Sequence, residues 1–263
     1  MEARTVTVDD GTGIYTEVHG KSGPVLCFVA GLGDNLCTWA GQVEALADQF
    51  QIVLIDNRGS GNSTTPPGPY STQRMADDAH QAILALGLGP VIAIGVSMGG
   101  AICQHWATRY PGDIERVVLS STWSSPDVIT GVLFNHWKGL AQRGDRQALI
   151  ESLLVFCYSP DYLLARPETV SEFIQGETIN LEGFTHAAVA CCEHDAASLL
   201  KKIRQPVLVT IGEYDILIRS DLSLALAREL PQSRIKFMST GHMPSWETPV
   251  AYSQMVAEFA RGE

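Results

Sequence analysis

Between an apolar run, Val91-Ile92-Ala93-Ile94, and a helical stretch from Ala101 to Tyr110 lies Gly95-Val96-Ser97-Met98-Gly99-Gly100. A buried strand must therefore turn abruptly into a helix over a few residues. Glycine suits such a turn, because its inner side has no room for a β-carbon and strand and helix must approach closely. The same turn lifts the Ser97 hydroxyl to the C-terminal end of the strand, at the positive end of the following helix. A G-x-S-x-G segment in this setting has the form of a nucleophile elbow.

The rest of the chain supplies the sheet that such a turn requires. Thr5–Val8 alternates polar and apolar residues, and Ile14–His19 reads as its hairpin partner across Asp9-Asp10-Gly11. Val25–Val29 and Ile52–Ile55 are continuous apolar runs, the pattern of fully buried parallel strands. Helical spacing follows each of them: Trp39, Val43, Leu46 and Phe50 after the first, Met75, Ala79, Ile83 and Leu86 after the second. Val117–Leu119 is a further short strand. This alternation predicts an α/β fold with a mostly parallel, eight-stranded sheet and helices on both faces.

The rhythm breaks after Trp123. From about Ser125 to Arg204 helical stretches follow one another, divided at Gly144-Asp145, Ser159-Pro160 and Arg166-Pro167. Strands return at Val207–Ile211 and Ile235–Phe237. Helices are expected over Asp221–Leu230 and from Thr248-Pro249 onward, with threonine as N-cap and proline in the first turn. The expected division is a core of residues 1–122 and 205–263 and a helical cap of residues 123–204, inserted after the sixth core strand.

A serine hydroxyl is a weak nucleophile at neutral pH and needs a base, itself held by a third group. On such a sheet the order along the chain is serine, acid, histidine. Of seven histidines, only His242 follows the last predicted strand, in the loop Ser239-Thr240-Gly241-His242-Met243-Pro244. His80 and His105 fall within helices, and His136, His186 and His194 within the helical block. Asp215 ends the preceding strand region, Ile211-Gly212-Glu213-Tyr214-Asp215, and is the expected acid. Glu213 is its rival, and Asp221 reads as a first-turn acid of the next helix. The developing oxyanion needs two donors. The backbone N–H of Met98, just after the nucleophile, is one. The N–H of Leu32, in the glycine-flanked loop after Val29, is the other. Trp123, Phe134, Trp137 and Met243 are candidates for the lining of a substrate pocket between sheet and cap.

Together these residues resemble the α/β-hydrolase superfamily along the whole chain. Ala30-Gly31-Leu32-Gly33, Trp39 and Arg58-Gly59-Ser60-Gly61-Asn62 resemble a subgroup holding 3-oxoadipate enol-lactonases, cofactor-free haloperoxidases that act as esterases, and the small amide or carbamate hydrolases of pyrimidine breakdown, the last most of all. The resemblance implies a cap between the sixth and seventh core strands. It also implies a cofactor-free hydrolase of a small ester, lactone or related acyl compound, working through an acyl-enzyme. C–C, amide or carbamate and thioester chemistry on the same three residues are the alternatives, and a non-catalytic ligand sensor is a third. One departure is Ala30, where the family usually has histidine. Support for the oxyanion loop must then come from elsewhere. The Asp56–Ser63 run, Arg58 included, reads as structural.

Charge and cysteines limit the partners. A net charge of −11 argues against nucleic acid and anionic membrane surfaces, and no run approaches the ~18 apolar residues of a membrane span. Six scattered cysteines form neither C-x-x-C nor a zinc spacing. Cys27 and Cys103 read as buried thiols and the vicinal Cys191-Cys192 as structural. No metal and no secretory leader are expected. The location expected is cytoplasmic and the partner a small acyl substrate, with a homodimer left open.

Overall fold

The structure, a computed structural model, describes residues 1–176 and 179–263. Eight strands form one sheet: β1 (Glu2–Thr7), β2 (Gly13–His19), β3 (Val25–Val29), β4 (Gln51–Ile55), β5 (Val91–Val96), β6 (Ile114–Ser120), β7 (Val207–Gly212) and β8 (Ser233–Met238), in the order β1-β2-β4-β3-β5-β6-β7-β8. β2 runs antiparallel to both β1 and β4, and every other pairing is parallel. In register, Val25–Val29 of β3 faces Val91–Gly95 of β5. All residues of β5 and β7 are buried, so both faces of the sheet are covered, as their unbroken apolar runs require. β8 is the edge strand and leaves Ile235 and Phe237 about half exposed.

The covering helices of the core are α1 (Ala40–Leu46), α2 (Thr72–Leu86) and α3 (Met98–Arg109). α1 packs on the C-terminal helix Pro249–Arg261, and α2 packs on α3. Phe28 of β3 meets Trp39 at 4.8 Å between ring centroids, and Trp39 stacks on Tyr252 at 6.5 Å. The helix expected to reach Phe50 ends at Leu46. Its first turn, Leu36–Trp39, is 3₁₀, and the Phe50 N–H caps the far end on the Leu46 carbonyl at 3.0 Å, which keeps Phe50 buried beyond the helix.

Between β6 and β7 lie α4 (Val128–Gln142), α5 (Arg146–Cys157), α6 (Pro160–Ala165), α7 (Pro167–Gly176) and α8 (Leu181–Glu193), with α4 packed on α8. The chain breaks these helices where polar caps compete for the backbone. Asp127, Asp145, Ser159 and Asn180 each accept a hydrogen bond from an amide three residues on. Pro160 and Pro167, read from sequence as separators, are first-turn residues of α6 and α7, where a missing N–H costs nothing. After β7 come α9 (Ser220–Glu229), α10 (Pro244–Glu247) and α11 (Pro249–Arg261). No helix among the described residues is long and apolar enough to cross a membrane.

Candidate active site

Ser97 sits between β5 and α3 at φ 54° and ψ −120°, a backbone state that non-glycine residues rarely adopt. The surroundings hold it there. The Ser97 N–H donates to Ser120 O at 2.9 Å. Its carbonyl accepts from the Ala101 N–H at 3.1 Å and from the Thr122 hydroxyl at 2.8 Å. The glycines around it are required sterically. A β-carbon on Gly95 would lie 2.3 Å from the Gly99 carbonyl carbon, and one on Gly99 would lie 2.1 Å from the Val29 carbonyl oxygen. Backbone strain that the neighbours over-determine is a common mark of functional sites. Met98 is the first residue of α3, so its N–H belongs to the unpaired end of the helix.

The loop after β3 runs beside this turn. Its Ala30 carbonyl accepts from Asn57 Nδ2 at 3.0 Å. The Asp56 carboxylate accepts from the Leu36 N–H at 2.7 Å and the Asn62 N–H at 2.8 Å, and Ser60 Oγ donates to the Asp34 carbonyl at 2.7 Å. The loop after β4 therefore braces the loop after β3, which supplies the support that a histidine at position 30 would give. Burial raises the Asp56 carboxyl above its ordinary value. Arg58 is tied by the same loop to Asp78 at 2.6 and 2.7 Å and to Asp10 at 2.9 Å, a buried structural anchor away from the cavity.

His242 follows β8. Its Nδ1–H donates to Asp215 Oδ2 at 2.8 Å, and Asp215 Oδ1 accepts the N–H groups of Leu217 at 3.0 Å and Ile218 at 2.8 Å. A carboxylate only accepts, so this contact places a proton on Nδ1, and in the neutral imidazole the lone pair is then on Nε2. Nε2 is buried and has no hydrogen-bond partner among the described residues, so the Ser97 hydroxyl is not bonded to it here. Such contacts are often long in unliganded enzymes and tighten when substrate arrives. Glu213, the rival acid, is exposed and takes the Ser239 hydroxyl instead.

Ser97 and His242 face one cavity, lined on the sheet side also by Gly31, Leu32, Gly33, Asp34, Leu217 and Met243. The helical insertion closes it with Phe134, Trp137, Ile150, Leu153, Leu154, Cys157, Tyr158, Phe173 and Ile179. The space open to the centre of a water molecule is about 70 Å³, so the cavity is small. Of the four pocket residues expected from sequence, Phe134, Trp137 and Met243 line it. Trp123 does not. It is fully buried, packed against Phe134 at 5.1 Å and edge-on to His194 at 5.9 Å between ring centroids. Asp34, Cys157 and Asn57 were missed from sequence. Only Asp34, next to the glycine loop, was within reach of a positional argument. Among the described residues no group of three His, Cys, Asp or Glu could hold a metal ion.

An elbow serine, a histidine on the loop after the last strand and a helical insertion between the sixth and seventh strands define an α/β hydrolase. The family model for the alpha/beta hydrolase fold matches residues 24–249, and the chain belongs to that family. The protein named "Putative carbamate hydrolase RutD" of Agrobacterium fabrum is 30% identical over 256 residues, covering 94% of this chain and 97% of its own. 3-Oxoadipate enol-lactonase 2 of Acinetobacter baylyi is 26% identical over 259 residues, covering 96% and 94%. Among solved structures, a thermophilic esterase from Thermogutta terrifontis, with malate bound, superimposes with a TM-score of 0.90 at 27% identity over 100% of this chain and 99% of its own. The enol-lactonase of Burkholderia xenovorans LB400 shares the fold with a TM-score of 0.92 at 24% identity, over 98% and 100%.

Proposed function

We propose that this protein is a serine hydrolase of small carboxylic esters or lactones, working through an acyl-enzyme on Ser97. The observation that carries this reading is the shared cavity. A strained elbow serine faces it beside a histidine whose Nδ1–H is bonded to a buried carboxylate and whose Nε2 is unpaired.

Nε2 of His242 takes the hydroxyl proton as Ser97 Oγ attacks the substrate carbonyl. Asp215 keeps the imidazole in the required tautomer and stabilises its positive charge. The N–H groups of Leu32 and Met98 receive the oxyanion, each such donor being worth about 3–4 kcal/mol in the transition state. His242 then returns the proton to the leaving group. Water, activated by the same nitrogen, releases the acid and restores Ser97.

The relatives named as carbamate hydrolases support a second reading, hydrolysis of a carbamate by the same residues. Six cysteines with no disulfide among the described residues favour a reducing compartment such as the cytoplasm. The partner is then a small acyl compound, without metal, cofactor or nucleic acid. Labelling with a fluorophosphonate, together with p-nitrophenyl ester and phenyl carbamate substrates, tests this. Covalent modification of Ser97, lost in Ser97→Ala, is expected, and the faster substrate class decides between ester and carbamate. An unlabelled protein without turnover would mark a ligand sensor and end the hydrolase reading.

A further inference from the structure

Trp137 has the largest of the described side chains that line the reaction cavity. Its indole is 1% exposed and lies one helical turn from Phe134 on α4, with 6.0 Å between ring centroids. A buried indole N–H needs an acceptor, and the fold does not give one to every such ring. Nε1 of Trp39 and of Trp123 is buried without a hydrogen-bond partner among the described residues. Trp137 does have an acceptor, and it comes from the next helix: Nε1–H donates to Ser152 Oγ of α5 at 2.8 Å. Phe156, also on α5, meets the same ring edge-on at 6.0 Å. The indole is therefore held from α5 at two points.

Ser152 is half-buried and is not part of the described lining. The cavity takes Ile150, Leu153, Leu154 and Cys157 from α5, which share one face of the helix. Ser152 lies off that face, so its effect on the cavity passes through Trp137. The helix also gives the cavity a direction. The His242 N–H is bonded to the Cys157 carbonyl at 2.9 Å, which puts the base at the C-terminal end of α5. His242 must return its proton to the leaving group, so the leaving group lies at that end. Ser152 and Ile150 stand five and seven residues earlier, about 7 to 10 Å back along the helix axis. A chain directed away from His242 is the acyl chain, and the indole tied to Ser152 is the wall it meets.

Resting on the hydrolase reading above, we propose that Ser152 is a positioning residue that locks the Trp137 indole as the wall of the acyl end, and thereby restricts the substrate to short acyl chains. Without the hydroxyl, the buried N–H loses its acceptor and the ring is free to turn about its side-chain bonds. Extra methylenes forced into a close-packed cavity are rejected steeply, so a wall that yields should show as a relaxed chain-length limit.

The test measures kcat/KM for p-nitrophenyl butyrate and octanoate on the wild-type protein, Ser152→Ala, Ser152→Thr, Trp137→Phe and the double variant Ser152→Ala/Trp137→Phe. Butyl and octyl acetate serve as the leaving-group series. The wild type should favour butyrate over octanoate by at least about 20-fold. Ser152→Ala should cut that preference at least fivefold, and Ser152→Thr, which keeps the hydroxyl, should restore it to within twofold. Phenylalanine has no N–H to hold, so adding Ser152→Ala to Trp137→Phe should change the preference less than twofold. The butyl-to-octyl acetate ratio should stay within twofold in Ser152→Ala. A wild-type preference below threefold, an unchanged preference in Ser152→Ala, an equal effect of Ser152→Ala with and without Trp137, or an equal shift in the acetate series overturns the proposal, while turnover of butyrate keeps the hydrolase reading. If the wild type turns over none of these esters, the underlying reading fails and this one with it.

Discussion

The main-chain N–H of His242 donates to the carbonyl of Cys157 at 2.9 Å, so the loop that carries the proposed base is bonded directly to the end of α5. Glu247 adds to this seam. Its Oε1 accepts from the Gly241 N–H at 2.9 Å and the Ser159 N–H at 3.0 Å, and its Oε2 accepts the Ser159 hydroxyl. The residue before the histidine and the residue that caps α6 thus share one carboxylate.

Removing that carboxylate leaves two part-buried amides without acceptors, at about 1–3 kcal/mol for each buried group left unsatisfied. It also frees the His242 loop, and a misplacement of ~1 Å at a catalytic group can cost on the order of 10²-fold. Glu247→Ala is therefore expected to lower the thermal midpoint and to lower kcat by at least tenfold, with KM within threefold. Glu247→Gln keeps an acceptor for the two amides and should recover most of both. Melting curves and ester kinetics on the two variants check this. Equal kcat in Glu247→Ala and the wild type would sever the seam from catalysis.

Asp215 and Glu213 stand two residues apart and differ in every relevant respect. Asp215 is buried and bonded to His242 Nδ1, whereas Glu213 is exposed and bonded to Ser239. Asp215→Asn substitutes a donor for one carboxylate oxygen and favours the wrong imidazole tautomer. In a serine protease triad the same change costs about 10⁴ in kcat, and a loss of 10³–10⁴ is expected here. Glu213→Gln should stay within threefold of wild type. Parallel kcat measurements decide the matter, and a larger loss in Glu213→Gln would move the acid to that residue.

These contrasts show which parts of the site a linear reading could reach. The parallel strands and the elbow were legible because buried parallel strands need unbroken apolar runs and the turn needs Gly95 and Gly99. Asp215 and His242 were legible because both follow strands whose ends must meet at one rim. The bracing of Ala30 by Asn57 joins positions 27 residues apart through a single amide, which leaves no periodic trace. Glu247 was hidden because an acid in the first turn of a short helix reads as a dipole partner, and its actual partners come from another element. Trp123 shows the converse. Its position after β6 pointed to the cavity, but packing against Phe134 and His194 buries the ring in the core.

The glycine requirement at the elbow is open to direct measurement. A methyl group on Gly99 would meet backbone atoms, Val29 O at 2.1 Å and Ala30 O at 2.9 Å, with no flexible side chain to yield. Gly112 has nothing within 4 Å of the same position. Gly99→Ala is expected to destabilise by several kcal/mol, the scale of overpacking in a rigid core, or to yield no soluble protein. Gly112→Ala should stay within about 0.5 kcal/mol. Urea titrations of the pair, or yield of folded protein where Gly99→Ala does not survive, provide the comparison. A Gly99→Ala protein as stable as Gly112→Ala would contradict the close packing of α3 on β3.

His194 ties acid stability to the junction between core and insertion. It is 2% exposed, its Nδ1 meets the Thr72 hydroxyl at 2.9 Å, and its ring stands edge-on to His105 at 5.3 Å and to Trp123 at 5.9 Å. Burial, and then His105, push its folded value down to about 3, against 6.5 for an ordinary histidine. The folded protein therefore holds this ring neutral where the unfolded chain would protonate it. The stability this difference supplies is complete above pH ~6.5 and is lost as the pH falls towards ~3, at up to ~1.4 kcal/mol per pH unit. His105, lowered by its own burial, acts in the same direction. His194→Gln cannot take up the proton and should be less stable than the wild type at pH 7, with a shallower loss of stability between pH 6 and pH 4. Urea unfolding at pH 7, 6, 5 and 4 on both proteins measures the two slopes. Parallel slopes would mean that His194 is protonated in the folded state as readily as in the unfolded chain, and that acid sensitivity arises elsewhere.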